Sequence, residues 1–341
     1  MKQLSSDTWG PEERQAAIDV INSGRVTIGP KVEEFEKAYA KYCGTKYCVA
    51  VNSGSSANLL MVAAWTLRYG AGNVVVPAVG WSTSYSPFQQ YGWHLIFVDV
   101  DRETLNYDME ALHSACRANH VDMILSINLL GNPCDYMNFP TGVPILEDNC
   151  ESMGATYNGR KTGSFGVMAS HSTYFSHHIC TMEGGMITTN NEYFHQMLLS
   201  LRSHGWTRHL PQHNVFGVRP AKFEFILPGY NVRPTEIQAA IGLEQLKKLD
   251  GFVEQRRENA SRFPFKTQKE CGQSSWFGMA VFGADRDHFT DYETRPIVTG
   301  NFLRQDVCKF YSYKVHGRLD NADYVHEQGM MIGNSHERID W

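Results

Sequence analysis

Between residues 47 and 190 the chain alternates short apolar runs with longer amphipathic stretches, and this pattern limits its fold more than any other feature. Seven segments read as strands: Tyr47–Val51, Val74–Pro77, Leu95–Asp99, Met123–Asn128, Pro144–Glu147, Met168–Tyr174 and Met186–Thr189. Helical stretches lie between several of them. Ser55–Leu67 carries Leu59, Leu60, Val62 and Ala63, and Asp108–Ala118 follows a turn at 105–107. Strands that alternate with helices predict an α/β fold, with a mainly parallel seven-stranded sheet covered on both faces.

Two helices are expected ahead of this unit. Pro11–Ser23 opens with Pro-Glu-Glu, a favourable first turn, and Lys31–Tyr42 places Val32, Phe35 and Tyr39 on one face. After residue 190 come a helix, a polar and aromatic-rich loop from His204 to Asn231, and a helix over Thr235–Leu249. Beyond Gly251 the strings SWFGMAVFG and RPIVTGNF read as strands of a smaller unit. The expected division is therefore a large domain over 1–250 and a small one over 251–341.

Composition removes several function classes. The net charge is −5, so no basic footprint suggests a nucleic-acid partner. The start, MKQLSSDTWGPEE, has no apolar leader core, and no apolar run approaches the roughly 18 residues a membrane span needs. A cytoplasmic location without membrane contact is the expectation. The eight cysteines are scattered, with only Cys43 and Cys48 close together, which suits reduced thiols. Neither a metal site nor an iron–sulfur cluster is expected, since both need tighter grouping.

Five motifs carry chemistry. Asn52-Ser53-Gly54-Ser55-Ser56-Ala57-Asn58 lies where a strand becomes a helix. Gly54 admits a close ligand, and the free N–H groups of a helix start favour an anion, with a hydroxyl from Ser55 or Ser56. An ordinary N-cap would read the same way. Asp148, in Leu146-Glu147-Asp148-Asn149-Cys150-Glu151, ends a buried strand; opposite a pyridine nitrogen it would keep that nitrogen protonated, and capping is its bland alternative. Trp81, just past a strand's C-terminal end, can stack on a planar ligand or fill a core. The pair His177-His178 stands in a polar turn between Ser172 and Gly184-Gly185; Ser172 can bind a phosphate and His177 face a ring, or the histidines are simply polar turn residues without catalytic duty. Asn231 and Arg233 stand in Gly229-Tyr230-Asn231-Val232-Arg233-Pro234 just before a helix, where Arg233 can clamp a phosphate or serve as surface charge.

The order SGSSAN, VPAVGWST, LEDNCES, a turn before EGG, then GYNVRP resembles the DegT-type nucleotide-sugar aminotransferases, which are pyridoxal-phosphate (PLP) enzymes of fold type I. The likeness runs from about Trp9 to Asn334. Where that family carries its cofactor-anchoring lysine, this chain has histidines, as in the dehydratase branch. The resemblance implies that Gly54, Ser55 and Ser172 hold the cofactor phosphate, Trp81 stacks on its ring, Asp148 binds its nitrogen and Glu151 lies nearby. Asn231 would reach the neighbouring subunit's phosphate in a homodimer with shared active sites. Arg25, Val26, Thr27, His204, Arg208, Arg233 and Glu293 would line the sugar-nucleotide site. His177 matches the lysine position, and His178 is the other candidate.

The implied activity is removal of the C3 hydroxyl from a nucleotide 4-keto-6-deoxyhexose, with GDP-4-keto-6-deoxymannose the first choice. Pyridoxamine phosphate would be the working cofactor and L-glutamate the amino donor. Neither an iron–sulfur cluster nor a reductase partner is implied. A sugar aminotransferase and a catalytically silent sugar-nucleotide-binding protein are the alternatives. One departure from the family stands out: only Gly283–Tyr292 separates two strands of the small unit, so a helix there looks trimmed.

Overall fold

The computed structural model describes residues 6–341. Helices α1 (Pro11–Ser23) and α2 (Pro30–Cys43) lead into β1 (Tyr47–Val51), α3 (Gly54–Tyr69), β2 (Asn73–Pro77), α4 (Ser82–Gln90), β3 (His94–Val98), α5 (Met109–Ala118), β4 (Met123–Ile127) and β5 (Ile145–Asp148). A short hairpin, β6 (Thr156–Tyr157) and β7 (Arg160–Lys161), precedes β8 (Met168–Ser172) and β9 (Gly185–Thr189). Helix α6 (Glu192–Leu201) follows. The C-terminal part holds α7 (Glu236–Ser261), β10 (Gly278–Phe282), β11 (Thr294–Arg295), β12 (Tyr313–Val315), α8 (Asp320–Gln328) and β13 (Gly329–Gly333).

The main sheet has the order β1-β9-β8-β5-β4-β2-β3-β12. Only β9 runs antiparallel to its neighbours, β1 and β8. Apart from the edge strand β12, its strands are buried on both faces, which is why they read as unbroken apolar runs. Val74, Val76, Leu95, Phe97 and Leu125 pack to one side with α3 and α4, while Val75, Ile96, Val98 and Ile124 pack to the other with α5.

All seven expected strands are present, but the sheet has eight. The addition, β12, is three exposed residues lying parallel to β3 with Tyr313 opposite Leu95. It has no periodic pattern of its own; the free backbone edge of β3 defines it. Helix α4 was not anticipated either, because Ser82–Gln90 is polar and contains Pro87. Helix α7 runs on to Ser261 rather than stopping at Leu249, and so passes through position 250 without a break.

The smaller sheet has the order β10-β13-β11. SWFGMAVFG supplies β10, but RPIVTGNF contributes only Arg295 to a strand, since Ile297–Gly300 closes a turn (Gly300 N–H to Ile297 C=O, 2.8 Å) with Val298 at φ 52°. The short connection expected between these strands is one 3-10 segment, Gly283–Phe289.

Candidate active site

The C-terminal ends of β1, β4, β5 and β8 open into a cleft of about 440 Å³. At the end of β1, Ser53 caps α3 by accepting from the Ser56 N–H at 3.0 Å. The first turn of α3 therefore aims its free N–H groups into the cleft. Two glycines allow this packing. A Cβ on Gly54 would lie 2.8 Å from the Cβ of Ser172, and one on Gly185 would lie 2.2 Å from the Ser53 carbonyl oxygen. Sheet and helix start thus approach more closely than any side chain permits.

Asp148, at the end of β5, is almost fully buried. Four donors converge on its carboxylate: Asn58 Nδ2 at 2.9 Å, Ser84 Oγ at 2.6 Å, the Cys150 N–H at 3.1 Å and Ser170 Oγ at 3.4 Å. Across the cleft Trp81 starts α4 with its indole half exposed, free to cover a planar ligand. Glu151 also lines the cleft and accepts from the Leu130 N–H at 3.0 Å. Burial pushes its pKa up, against the opposing pull of Arg295.

The turn between β8 and β9 is pinned at its base. The Thr181 N–H donates to Thr173 C=O at 2.9 Å, and the Thr173 N–H donates to Gly184 C=O at 3.0 Å. His177 sits at its tip, with its N–H bonded to Tyr174 C=O at 2.9 Å and its ring lining the cleft. Its Nδ1 has no partner. Burial first, then Arg295 and Arg256, pushes its pKa down to about 3, so the imidazole is neutral at physiological pH. His178 points away from the cleft residues. It is fully buried, and its Nε2 lies 3.2 Å from Ser275 C=O. Phe277 packs on both rings, at 5.1 Å from His177 and 5.8 Å from His178. No lysine is among the residues lining the cleft.

The cleft thus gathers Gly54, Ser55, Trp81, Asp148, Glu151, Ser172 and His177. Asn231 is exposed in the loop before α7 and lies outside it. The residues expected at the sugar nucleotide fall elsewhere. Arg25 and Arg208 line a separate cavity of about 720 Å³ between α2, β1 and α6, next to the exposed Val26 and Thr27. His204 Nε2 accepts from Arg233 Nη1 at 2.8 Å. Glu293 is exposed just before β11 and lines neither cavity.

Sequence reading passed over several cleft residues. Asn58 and Ser84 stand within or beside quoted motifs, yet only the fold shows that both serve Asp148. Arg295 opens the string RPIVTGNF, read only as a strand. In the fold it lines the cleft from the C-terminal sheet, and its Nε is enclosed without a partner.

The site therefore combines a helix-start anion cradle, a half-exposed indole, a buried carboxylate and a neutral histidine at the carboxyl ends of a parallel sheet. The model of the DegT/DnrJ/EryC1/StrS aminotransferase family matches residues 7–271, and the chain belongs to that family. Among curated proteins it is similar to the GDP-4-keto-6-deoxy-D-mannose 3-dehydratase of Yersinia pseudotuberculosis, 45% identical over 367 residues, covering 97% of this chain and 93% of the relative. Among solved structures it is similar to a GDP-4-keto-6-deoxymannose-3-dehydratase with a trapped PLP–glutamate geminal diamine, with TM-score 0.94 and 42% identity, covering 99% of this chain and 97% of the other. A mutant of such a dehydratase with bound GDP-perosamine matches with TM-score 0.93 and 42% identity, at 99% and 97% coverage.

Proposed function

We propose that the chain is a PLP-dependent lyase that removes the C3 hydroxyl of a GDP-linked 4-keto-6-deoxy sugar, GDP-4-keto-6-deoxymannose in the first instance, within deoxysugar biosynthesis. One observation carries the reading: a histidine, with no lysine beside it, faces a cleft otherwise equipped for this cofactor. The residues fit the group. A Cβ-free cradle at Gly54 meets Ser172 and the first turn of α3, which suits a phosphate. Asp148 is held as an acceptor by four donors, which suits a protonated ring nitrogen, and Trp81 offers a face to the ring.

When bound in its amine form, the cofactor supplies an amine for the C4 ketone and an electron sink that allows the neighbouring C3 hydroxyl to leave. Everything else falls to the chain. Gly54, Ser55 and Ser172 hold the phosphate, and Asp148 fixes the ring's protonation. His177 would accept on its neutral imidazole the proton released from the cofactor's amine-bearing carbon and return it to the C3 oxygen, which leaves as water. A histidine forms no covalent bond to the cofactor, so nothing on the protein displaces the cofactor amine. Arg295, a guanidinium with no carboxylate partner among the described residues, suits the carboxylate of an amino donor, and we assign that donor as L-glutamate.

The enzyme acts as a homodimer in this reading. Asn231 and Phe223 are exposed on the long 204–231 loop, away from their own cleft, as side chains serving a neighbour's site would be. No helix of the described residues is long and apolar enough to cross a membrane, and a cytoplasmic location is part of the proposal.

The test is incubation with pyridoxal phosphate, glutamate and GDP-4-keto-6-deoxymannose, followed by product mass analysis. A 3-deoxy ketosugar and free ammonia are expected. A stable 4-amino sugar would replace this reading by an aminotransferase, and tight sugar-nucleotide binding without cofactor uptake would replace it by a silent binding protein.

A further inference from the structure

Behind the cleft, one phenyl ring supports both His177 and Arg295. Phe277 is buried just before β10 and does not itself line the cleft. Its ring centre lies 5.1 Å from that of His177 and 5.7 Å from the Cζ of Arg295. His177 arrives on the turn between β8 and β9, and Arg295 on β11. The phenyl ring is where the two segments meet.

The backbone of Phe277 is held from two sides. Its N–H donates to the Leu130 carbonyl at 2.9 Å, and its own carbonyl accepts from Nη1 of the buried Arg256 at 3.1 Å. Leu130 in turn donates its N–H to Glu151 in the cleft. The Ser275 N–H adds a bond to the Gly131 carbonyl at 3.0 Å. This junction is strained. Leu130 has φ 53° and Trp276 has φ 48°, a region that bulky side chains rarely enter. A Cβ on Gly131 would lie 2.5 Å from the Trp276 nitrogen. Such backbone persists only where its surroundings over-determine it, and it clusters at functional sites. Here it fixes the ring that both side chains pack on. A phenyl face attracts a guanidinium, and an apolar ring beside an imidazole keeps water away from it. Burial is the first cause of the low pKa of His177, and Phe277 is part of that burial. Arg295, Arg256, His178 and Tyr174 face the imidazole, and the carboxylates of Asp148, Glu151 and Glu183 share its cleft.

We propose that Phe277 is a positioning residue that fixes the His177 imidazole and the Arg295 guanidinium together, so that one ring supports both the proton carrier and the amino-donor site. This rests on the roles given to those two residues above. Phe277→Leu tests it against Phe302→Leu, an equal truncation at a buried phenylalanine that packs on Tyr85 and Phe97. In the cofactor-loaded protein, Phe277→Leu raises the KM for glutamate about 3- to 10-fold, within the worth of a cation–ring contact. It lowers kcat for dehydration about 10- to 100-fold, as for a group displaced by roughly 1 Å. Cofactor affinity and the KM for the sugar nucleotide stay within about two-fold, the scale of uncoupled sites. Phe302→Leu lowers the thermal midpoint without this split, and Phe277→Tyr, which keeps the ring, restores the native values. A second readout needs no turnover. By NMR of the cofactor-free protein, the His177 imidazole (identified by its loss in His177→Asn) does not titrate down to about pH 5 in the native protein, and begins to titrate above that pH in Phe277→Leu as water reaches it. An unchanged glutamate KM in Phe277→Leu, or the same split in Phe302→Leu, overturns the proposal. If the native protein dehydrates no sugar, the functional reading fails, and an unchanged His177 titration in Phe277→Leu would then overturn the positioning role separately. Should Phe277→Leu not fold, Phe277→Met, whose flexible side chain fills irregular space, is read in the same way.

Discussion

Adding one methyl group at Gly54 should detach the cofactor without unfolding the protein. Gly54 is the first residue of α3 and its φ is not positive, so alanine is conformationally acceptable there. The obstacle is purely steric. The new Cβ would lie 2.8 Å from the Cβ of Ser172 and 3.0 Å from Cys150 Sγ. Comfortable carbon contacts need about 3.5–4.0 Å, so the helix start and the end of β8 must separate by roughly 1 Å. The thiol can rotate aside, but the Ser172 Cβ is fixed to a buried strand. Overpacking of this kind typically costs about 1–3 kcal/mol. Here it falls on the two segments proposed to hold the phosphate, so Gly54→Ala should weaken pyridoxal-phosphate binding about 5- to 150-fold, by the same range. The assay is an absorbance titration of the cofactor-free variant, with its thermal midpoint as control. Cofactor affinity within about two-fold of native, a change too small for such a clash, would refute the placement of the phosphate at this helix start.

Three further outcomes are expected. His177→Asn should keep cofactor uptake and lose dehydration by about 10²–10⁴-fold, the usual worth of a general acid–base; unchanged product formation would move the proton carrier elsewhere. Arg295→Gln should raise the KM for glutamate about 10-fold or more, the worth of a charge-assisted contact, with the KM for the sugar nucleotide held; equal effects on both substrates would remove the donor assignment. His171 is fully buried, with Nδ1 2.9 Å from Tyr39 Oη and Nε2 3.0 Å from Thr188 Oγ1, and burial pushes its pKa down to about 3. Unfolded, it titrates near 6.5, so below that pH the unfolded chain binds the extra proton and stability falls. At pH 5 the loss from this residue is about 2 kcal/mol. Melting of His171→Asn should therefore depend less steeply on pH between 7 and 5 than melting of the native protein; parallel curves would contradict this.

Strand positions were legible because burial on both faces writes itself as continuous apolar runs, as in Val74–Pro77 and Met123–Ile127. Segments whose conformation depends on a neighbour were not legible. Tyr313–Val315 becomes a strand only along β3, and the polar Ser82–Gln90 becomes a helix under Trp81. The candidate site divides in the same way. Motifs that join one strand to one turn, such as SGSSAN and LEDNCES, carried their own chemistry. Partners from distant segments, such as Asn58 and Ser84 on Asp148, had no signal beyond their presence.

By itself, then, the sequence determined an alternating α/β scaffold, an anion-favouring helix start, an acidic strand end and a polar turn with histidines in place of a lysine. These are properties of short segments, set by burial periodicity and by the chemistry of adjacent residues. Which histidine faces the cleft was left to the tertiary structure. His177 turns toward Asp148 and Trp81, while His178 is buried against the Ser275 carbonyl. Neighbours in sequence were separated by packing, because the Ser275 carbonyl takes up the His178 ring while the His177 ring lines the cleft. The same packing brought Arg295 to the site across more than a hundred residues, a distance that no local pattern spans.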